Sequence, residues 1–272
     1  MTTPHATRLV AFDLDDTLAP SKTPLAPEMV AALLALLERH EVLVISGGNV
    51  TQFRTQLLAP LGTSGRLARL HLMPTCGTRY LRLVDGDWVE LYAHELSVED
   101  RSVAAEALES VARSLGLWEP DDVVSGERIE DRGTQVTFSA LGQHASPDAK
   151  KVWDPDGRRR EDLRRGVAAL LPRLEVRSGG STSVDVTARG IDKAFGLSRM
   201  LELLSLRPDE VLFVGDRLDP GGNDHPVLSL GVRTQPVRDE HETLGIIHAL
   251  LAGAGARASG PARGAPALAR RR

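Results

Sequence analysis

Three short aliphatic runs, far apart in the chain, each stop at residues fit for chemistry. Leu9-Val10-Ala11-Phe12 stops at Asp13, Val42-Leu43-Val44-Ile45 stops at Ser46-Gly47-Gly48, and Val211-Leu212-Phe213-Val214 stops at Gly215-Asp216. Apolar runs without polar alternation read as strands buried on both faces, as in parallel sheets covered by helices. Helical spacing follows them, over residues 28–39 with Met29, Leu33, Leu36 and Leu37 apolar, from about Val50 to Leu58, and over 191–204. This order predicts an α/β fold with a doubly wound parallel-sheet core. Ligands of such sheets gather at the carboxyl ends of the strands, where these runs place their acids, hydroxyl and glycines.

The pattern breaks near residue 78. Tyr80–Val84 and Trp88–Tyr92, joined by Asp85-Gly86-Asp87, predict a hairpin across an Asp-Gly turn. A helix over about Val98–Leu115, an alternating run at Gln135–Ser139 and a helix over about Arg159–Leu171 come next. Short strands at Leu174–Arg177 and Ser183–Val186 complete an antiparallel α+β block. The division expected is a core of 1–84 and 188–252 with a cap domain of 85–187 inserted between its halves. Gly231–Thr234 predicts a last strand and Glu240–Leu251 a last helix. Residues 253–272 are almost wholly Ala, Gly, Pro and Arg, too poor in large apolar side chains to offset the entropy of ordering. They are expected to form a disordered basic tail.

Charge narrows the partners. The formal net charge of the 272 residues is -4, and five arginines of the last stretch are set against no acid, so the remainder is more acidic still. No large positive field points to nucleic acid. Only four of the 33 basic residues are lysines, Lys22, Lys150, Lys151 and Lys193, which makes each worth locating. The adjacent pair Lys150 and Lys151 reads as cap surface. The single cysteine, Cys76, rules out an intramolecular disulfide or a multi-cysteine metal cluster and fits a reducing compartment. Met1–Thr7 carries no apolar signal core, and no run approaches a membrane span. A cytoplasmic protein with neither membrane nor nucleic-acid partner is expected.

Four segments carry chemistry. In Asp13-Leu14-Asp15-Asp16-Thr17, alternate residues of an extended chain share a face, so Asp13 and Asp15 can converge. Two close carboxylates repel unless a cation or proton lies between them, and oxygen-only ligation suits Mg²⁺. The alternative is a strand end with an acidic turn. Gly215-Asp216, Asp219 and Gly221-Gly222-Asn223-Asp224 form a second acidic group, or an ordinary Asp/Gly/Asn turn. Ser46-Gly47-Gly48 before a helix offers a hydroxyl and bare amides to a phosphate, or is simply a turn. Lys193 opens a helix against the macrodipole, so either some demand fixes it there or it is a solvated surface lysine.

Taken in order, Asp-x-Asp-x-Thr, Ser, Lys and Gly-Asp followed by Asn-Asp resemble the haloacid-dehalogenase superfamily of phosphohydrolases, with a type IIB cap. Within it the chain is most similar to eukaryotic-type phosphomannomutases, through Gly215–Asp224, Ser183-Val184-Asp185-Val186, Gly190-Ile191-Asp192-Lys193 and Ile129-Glu130-Asp131-Arg132. The resemblance covers roughly residues 8–251. It implies that Asp13 is the nucleophile, forming an aspartyl-phosphate, and that Asp15 is general acid and then base. It implies Mg²⁺ on Asp13, Asp216 and the backbone carbonyl of Asp15, supported by Asn223 and Asp224. Ser46 and Lys193 would hold the phosphoryl oxygens, while Gly47, Lys22, Arg132, Ser183 and Asp185 would contact substrate. It also allows a homodimer.

The departures from the mutases bear on the reaction. Their cap carries a trio of arginines for a distal phosphate. This chain keeps Arg132 but has Gln143 and Ser125 at the other two places, and Lys22 replaces an arginine after the first motif. Glutamine carries no charge, and lysine is not a bidentate clamp. Asp16 replaces the usual glycine of the first motif. The expectation is therefore a Mg²⁺-dependent phosphatase of a small phosphorylated metabolite such as a sugar phosphate. The alternative is a mutase interconverting hexose 6- and 1-phosphates. A phospho-accepting receiver module uses similar residues, but it is about half this length and lacks a cap.

Overall fold

The structure, a computed structural model, describes residues 6–258. The chain runs β1 (Leu9–Phe12), α1 (Pro27–Leu36), β2 (Glu41–Ile45), α2 (Val50–Gln52), a π-helical segment Phe53–Leu58, α3 (Ala59–Leu61), β3 (Leu70–Met73), β4 (Arg79–Val84) and β5 (Asp87–Ala93). There follow α4 (Val98–Ser114), β6 (Ile129–Asp131), β7 (Gln135–Ser139), α5 (Pro147–Trp153), α6 (Arg158–Leu170), β8 (Leu174–Ser178) and β9 (Ser183–Ala188). The last elements are α7 (Lys193–Leu203), β10 (Val211–Gly215), β11 (Arg233–Pro236) and α8 (Glu240–Ala258).

A seven-stranded sheet has the order β11-β10-β1-β2-β3-β4-β5, parallel from β11 to β3 and antiparallel beyond. All four residues of β1 are fully buried. Their alternation sends Val10 and Phe12 into one apolar cluster with Met29 and Leu33 of α1, and Leu9 and Ala11 into another with Leu197 and Met200 of α7. Each large side chain among them contributes roughly 1.5–3 kcal/mol by leaving water. Burial on both faces explains the absence of polar alternation in the sequence, and the α/β core is as expected. In register, Phe12 lies beside Val44 on one side and Val214 on the other. Asp13, Ser46 and Asp216 therefore leave the same edge of the sheet.

The cap sheet is four-stranded and antiparallel, in the order β6-β7-β9-β8. Val136, Phe138, Val184 and Val186 turn into a separate apolar core with Ala104, Leu108 and Val111 of α4 and Leu163 and Val167 of α6. The other face of β7 and β9 is polar: Gln135 pairs with Thr187, Thr137 with Asp185, and Ser139 with Ser183.

The expected boundaries shift. The hairpin forms as predicted, with positive φ at Asp85 and Gly86 in its turn, but β5 pairs with β4, and β4 with β3. The division placed at residue 85 thus falls inside a hairpin of the larger sheet, and β5 is that sheet's edge rather than part of the cap domain 85–187. At the other end β9 extends to Ala188, one residue into the half expected to start the core again. Helix α8 continues to Ala258, so residues 253–258 are helical where the tail was predicted to begin. The rest of that tail lies outside the described residues. Among the described residues no helix is long and apolar enough to cross a membrane.

Candidate active site

The carboxyl edge of the core sheet and the polar face of the cap enclose a cleft of about 930 Å³. Asp13 sits on its floor, 3% exposed, its backbone N–H donating to Val214 O. Lys193 is the first residue of α7, which Asp192 caps by accepting from Phe195 N. The helix approaches so closely that a Cβ on Gly77 would collide with Gly196 Cα. Lys193 is thereby driven fully under the floor, where its Nζ donates to Asp13 Oδ1 and Asp224 Oδ1, both at 2.6 Å. Burial alone would lower its pKa, but the two carboxylates outweigh burial and hold it above the ordinary lysine range. The solvated-lysine alternative is excluded.

Asp224 is also fully buried, and its Oδ2 accepts from Arg217 N at 3.1 Å. Only glycine fits beside it, because a Cβ on Gly215 would collide with that oxygen. Asp216 completes the acidic group, and one oxygen from each of Asp13, Asp216 and Asp224 lies within 4.8 Å of the others. Three carboxylates thus face one ammonium. Burial, helped by Asp224 and Asp216, raises Asp13 well above the usual carboxylate range despite Lys193. Asp216 is pushed up to about 6, chiefly by burial. Asn223 adds a buried Oδ1 with no hydrogen-bond partner among the described residues. Unpaired negative charge and an orphaned acceptor in an oxygen-only set fit Mg²⁺.

The first motif divides its work. Asp13 faces Lys193, whereas Asp15 faces amides. Its Oδ2 accepts from Gln52 Nε2 at 2.8 Å, and its Oδ1 from Lys22 N at 2.8 Å and Gln56 Nε2 at 3.2 Å. Thr17, fully buried, accepts from Asp216 N at 3.1 Å and so ties this loop to the one after β10. Asp16 has φ 58°, the left-handed region that glycine enters freely and Asp tolerates better than most residues. That conformation accounts for the glycine usual at this place.

Ser46 is nearly buried, and its Oγ accepts from Gly48 N at 3.1 Å. Gly47 reaches the cap through its carbonyl, which accepts from Arg132 Nη1 at 2.7 Å and Gln135 Nε2 at 3.3 Å. Arg132 also holds Glu130 through Nε and Nη2, so the one arginine retained from the trio is already neutralised. Asp185 accepts from Thr137 Oγ1 at 2.8 Å, and burial raises its pKa. Ser183 shares a hydrogen bond with Ser139. Lys22, Arg132, Ser183 and Asp185 all line the cleft. The cleft also holds Gln52, Asn49, Gln135 and Lys150, which no motif in the sequence singles out, and Glu130, which lies in the Ile129-Glu130-Asp131-Arg132 segment without a role assigned to it.

Lys150 corrects the sequence reading most clearly. That reading puts it, with Lys151, on the cap surface, but Lys150 is 7% exposed and lines the cleft. Its Nζ donates to Gln143 O at 3.0 Å, and Lys22 Nζ donates to the same oxygen at 3.1 Å and to Gln143 Oε1 at 2.6 Å. A glutamine replaces the mutase arginine, yet two ammonium groups gather on it.

A capped α/β core with clustered carboxylates and a buried lysine at its strand ends defines a class of hydrolases and phosphotransferases. The chain belongs to the haloacid dehalogenase-like hydrolase family, whose profile matches residues 10–230. Curated relatives include a probable phosphomannomutase of Caenorhabditis elegans, 21% identical, with 84% of this chain and 89% of that protein covered. A phosphomannomutase of Spinacia oleracea is 23% identical, covering 81% and 86%. Among solved structures, the N-terminally truncated IMP-nucleotidase of Plasmodium falciparum superposes at TM-score 0.67 and 15% identity, over 90% of this chain and 70% of that one. A haloacid dehalogenase-like hydrolase from Bacteroides thetaiotaomicron superposes at 0.58 and 17% identity, over 90% and 99%.

Proposed function

We propose that the protein is a Mg²⁺-dependent phosphatase that hydrolyses a small phosphorylated metabolite, a sugar phosphate, through an aspartyl-phosphate on Asp13. The observation that carries this reading is the convergence of Asp13, Asp216 and Asp224 beside the buried Lys193 at the strand ends, an oxygen-only pocket with one ammonium in it. Asp13, Asp216 and the Asp15 carbonyl would hold Mg²⁺, with Asn223 and Asp224 in support, and the bound ion would supply positive charge to the phosphoryl oxygens.

Asp13 attacks phosphorus as the ester P–O bond breaks, and Asp15 in its acid form gives its proton to the departing alkoxide oxygen. Asp15, now a carboxylate, takes a proton from water as that water's oxygen attacks phosphorus. Inorganic phosphate leaves and the Asp13 carboxylate returns. Lys193 and the Ser46 hydroxyl hold phosphoryl oxygens throughout, a reaction carried by positioning and charge.

The cap wall favours a polyol as leaving group. Thr137, Ser183 and Asp185 present hydrogen-bonding groups, and the buried Gln135 Oε1 and Thr182 Oγ1 have no partner among the described residues. No Phe, Tyr or Trp lines the cleft among the described residues.

The gathering of Lys22 and Lys150 favours a second reading, a hexose-phosphate mutase that retains a bisphosphate. A phosphate-ester panel assayed with Mg²⁺, with and without a hexose bisphosphate, tests both. Steady release of inorganic phosphate, absent in Asp13→Asn, supports the phosphatase. Hexose interconversion that depends on the bisphosphate supports the mutase. Silence under both conditions overturns the proposal.

A further inference from the structure

The general acid is wired to the cap. Asp15 makes no hydrogen bond to Lys193; its carboxylate rests on Gln52 and Gln56, and Gln52 Nε2 also donates to Gln56 Oε1 at 3.0 Å. Both amides come from the helix that begins at Val50 and passes into the π-helical segment Phe53–Leu58, a departure from α geometry that is frequent at functional sites. Gln52 lies so close to the phosphate-cradle loop that a Cβ on Gly48 would collide with its Oε1.

Asn49 starts this helix, and its side chain works at both ends. The Oδ1 accepts from Gln52 N at 2.8 Å, capping the turn that carries Gln52. The Nδ2 donates to Glu130 on β6, across the boundary between core and cap. Glu130 is fixed in turn by Arg132, whose Nη1 reaches back to Gly47 O. The side chains of Glu130 and Arg132 are only 19% and 7% exposed, so this connection is shielded from water. Burial alone would raise the Glu130 pKa, but the charge of Arg132 and the hydrogen bonds from Arg132 and Asn49 hold it below its ordinary value, and hence charged.

We propose that Glu130 is a positioning residue which, through Asn49, makes the aim of the Asp15 carboxylate depend on the cap being seated on the core. An amide group is planar and stiff, so Glu130 fixes the Asn49 side chain, Asn49 fixes the first turn, and that turn sets Gln52 against Asp15. With the cap away, Asn49 still caps the helix but loses its anchor, and proton donation is poorly aimed. The proposal rests on the reading of Asp15 as general acid. It gives the cap a part in the chemistry beyond substrate contact.

The test uses the leaving group as reporter. A 4-nitrophenyl ester departs without needing a proton, whereas an alkyl ester such as glycerol phosphate needs one. Asn49→Ser keeps a side-chain acceptor for Gln52 N but removes the donor to Glu130, and Glu130→Ala removes the anchor itself. Both variants are expected to raise the ratio of kcat/KM for 4-nitrophenyl phosphate over that for glycerol phosphate by about 10-fold or more. Glu130→Gln, which can still accept from Asn49, is expected to return most of the ratio. Equal loss on the two esters, or no loss in either variant, overturns the proposal. Should wild type and Asp13→Asn hydrolyse both esters alike, the phosphatase reading itself fails, a result distinct from an unchanged ratio in an active enzyme.

Discussion

Lys22 and Lys150 aim their ammonium groups at one and the same oxygen, the carbonyl of Gln143. The two nitrogens are therefore no further apart than those two hydrogen bonds laid end to end. Burial, then the charge of Lys22, lowers Lys150 to about 8. A shared neutral acceptor pairs neither charge directly, and an anion between them relieves the repulsion that the nearby Asp15 only partly offsets. Lys150 is charged below about pH 8 and neutral above it. For a substrate with a second anionic group, kcat/KM is expected to fall by about tenfold as pH rises from about 7 to about 9, since a hydrogen bond to a charged group is worth ~1.5 kcal/mol or more. Lys150→Arg should flatten that limb, and a substrate with a single phosphate should not show it. Identical pH profiles for the two substrates would contradict this role.

Lys193 is enclosed between Asp13 and Asp224 with no exposed surface. Lys193→Met leaves buried carboxylates facing one another without their shared cation. Loss of one partner of a buried ion pair costs about 3–5 kcal/mol. The variant is expected to unfold at correspondingly lower urea concentration and, on the proposed mechanism, to lose at least about 100-fold in kcat because it would lack a donor to the phosphoryl oxygens. An unchanged denaturation midpoint would show that Lys193 does not neutralise the acids.

The strands β1, β2 and β10 were legible because burial on both faces leaves unbroken aliphatic runs, and their chemistry was legible because it stands at their ends. What escaped depends on how elements dock. An edge hairpin of the core and a hairpin of the cap have the same local pattern, so only the pairing of β4 with β3 assigns β5. Strand β3 hides a buried histidine, His71, whose partners Tyr80 and Glu41 come from other strands. In α5, Lys150 and Lys151 are adjacent and equivalent in sequence; the seating of the helix turns Lys150 inward. Gln52 and Gln56 acquire a meaning only where the fold sets Asp15 between their amides.

Asp16 offers a test of backbone strain. Its φ of 58° costs a non-glycine residue roughly 1 kcal/mol, and its carboxylate recovers part of that by accepting from Ser21 N at 3.2 Å. Asp16→Gly is expected to keep stability within about 1 kcal/mol of wild type. Asp16→Val, β-branched and without the acceptor, should lose about 2 kcal/mol or more. Equal stability of the two variants in chemical denaturation would contradict the assigned conformation.

Asp216 provides the test of the proposed Mg²⁺ site. Its carboxylate is pushed up to about 6, chiefly by burial and further by Asp224, although Lys193 pulls the other way. A divalent ion that binds the folded chain alone stabilises it by about 2.7 kcal/mol at roughly 100 times its Kd. Wild type is expected to gain that much in urea denaturation on addition of Mg²⁺, and to lose turnover on addition of a chelator, with recovery when Mg²⁺ is restored. Asp216→Asn removes one of the three converging carboxylates while keeping the shape of the site, so it should be at least as stable as wild type without Mg²⁺ and gain little from it. The gain from the ion, compared between the two proteins, therefore separates binding at this centre from a general effect of salt. An equal gain in both would place the ion elsewhere and remove Asp216 from the metal set.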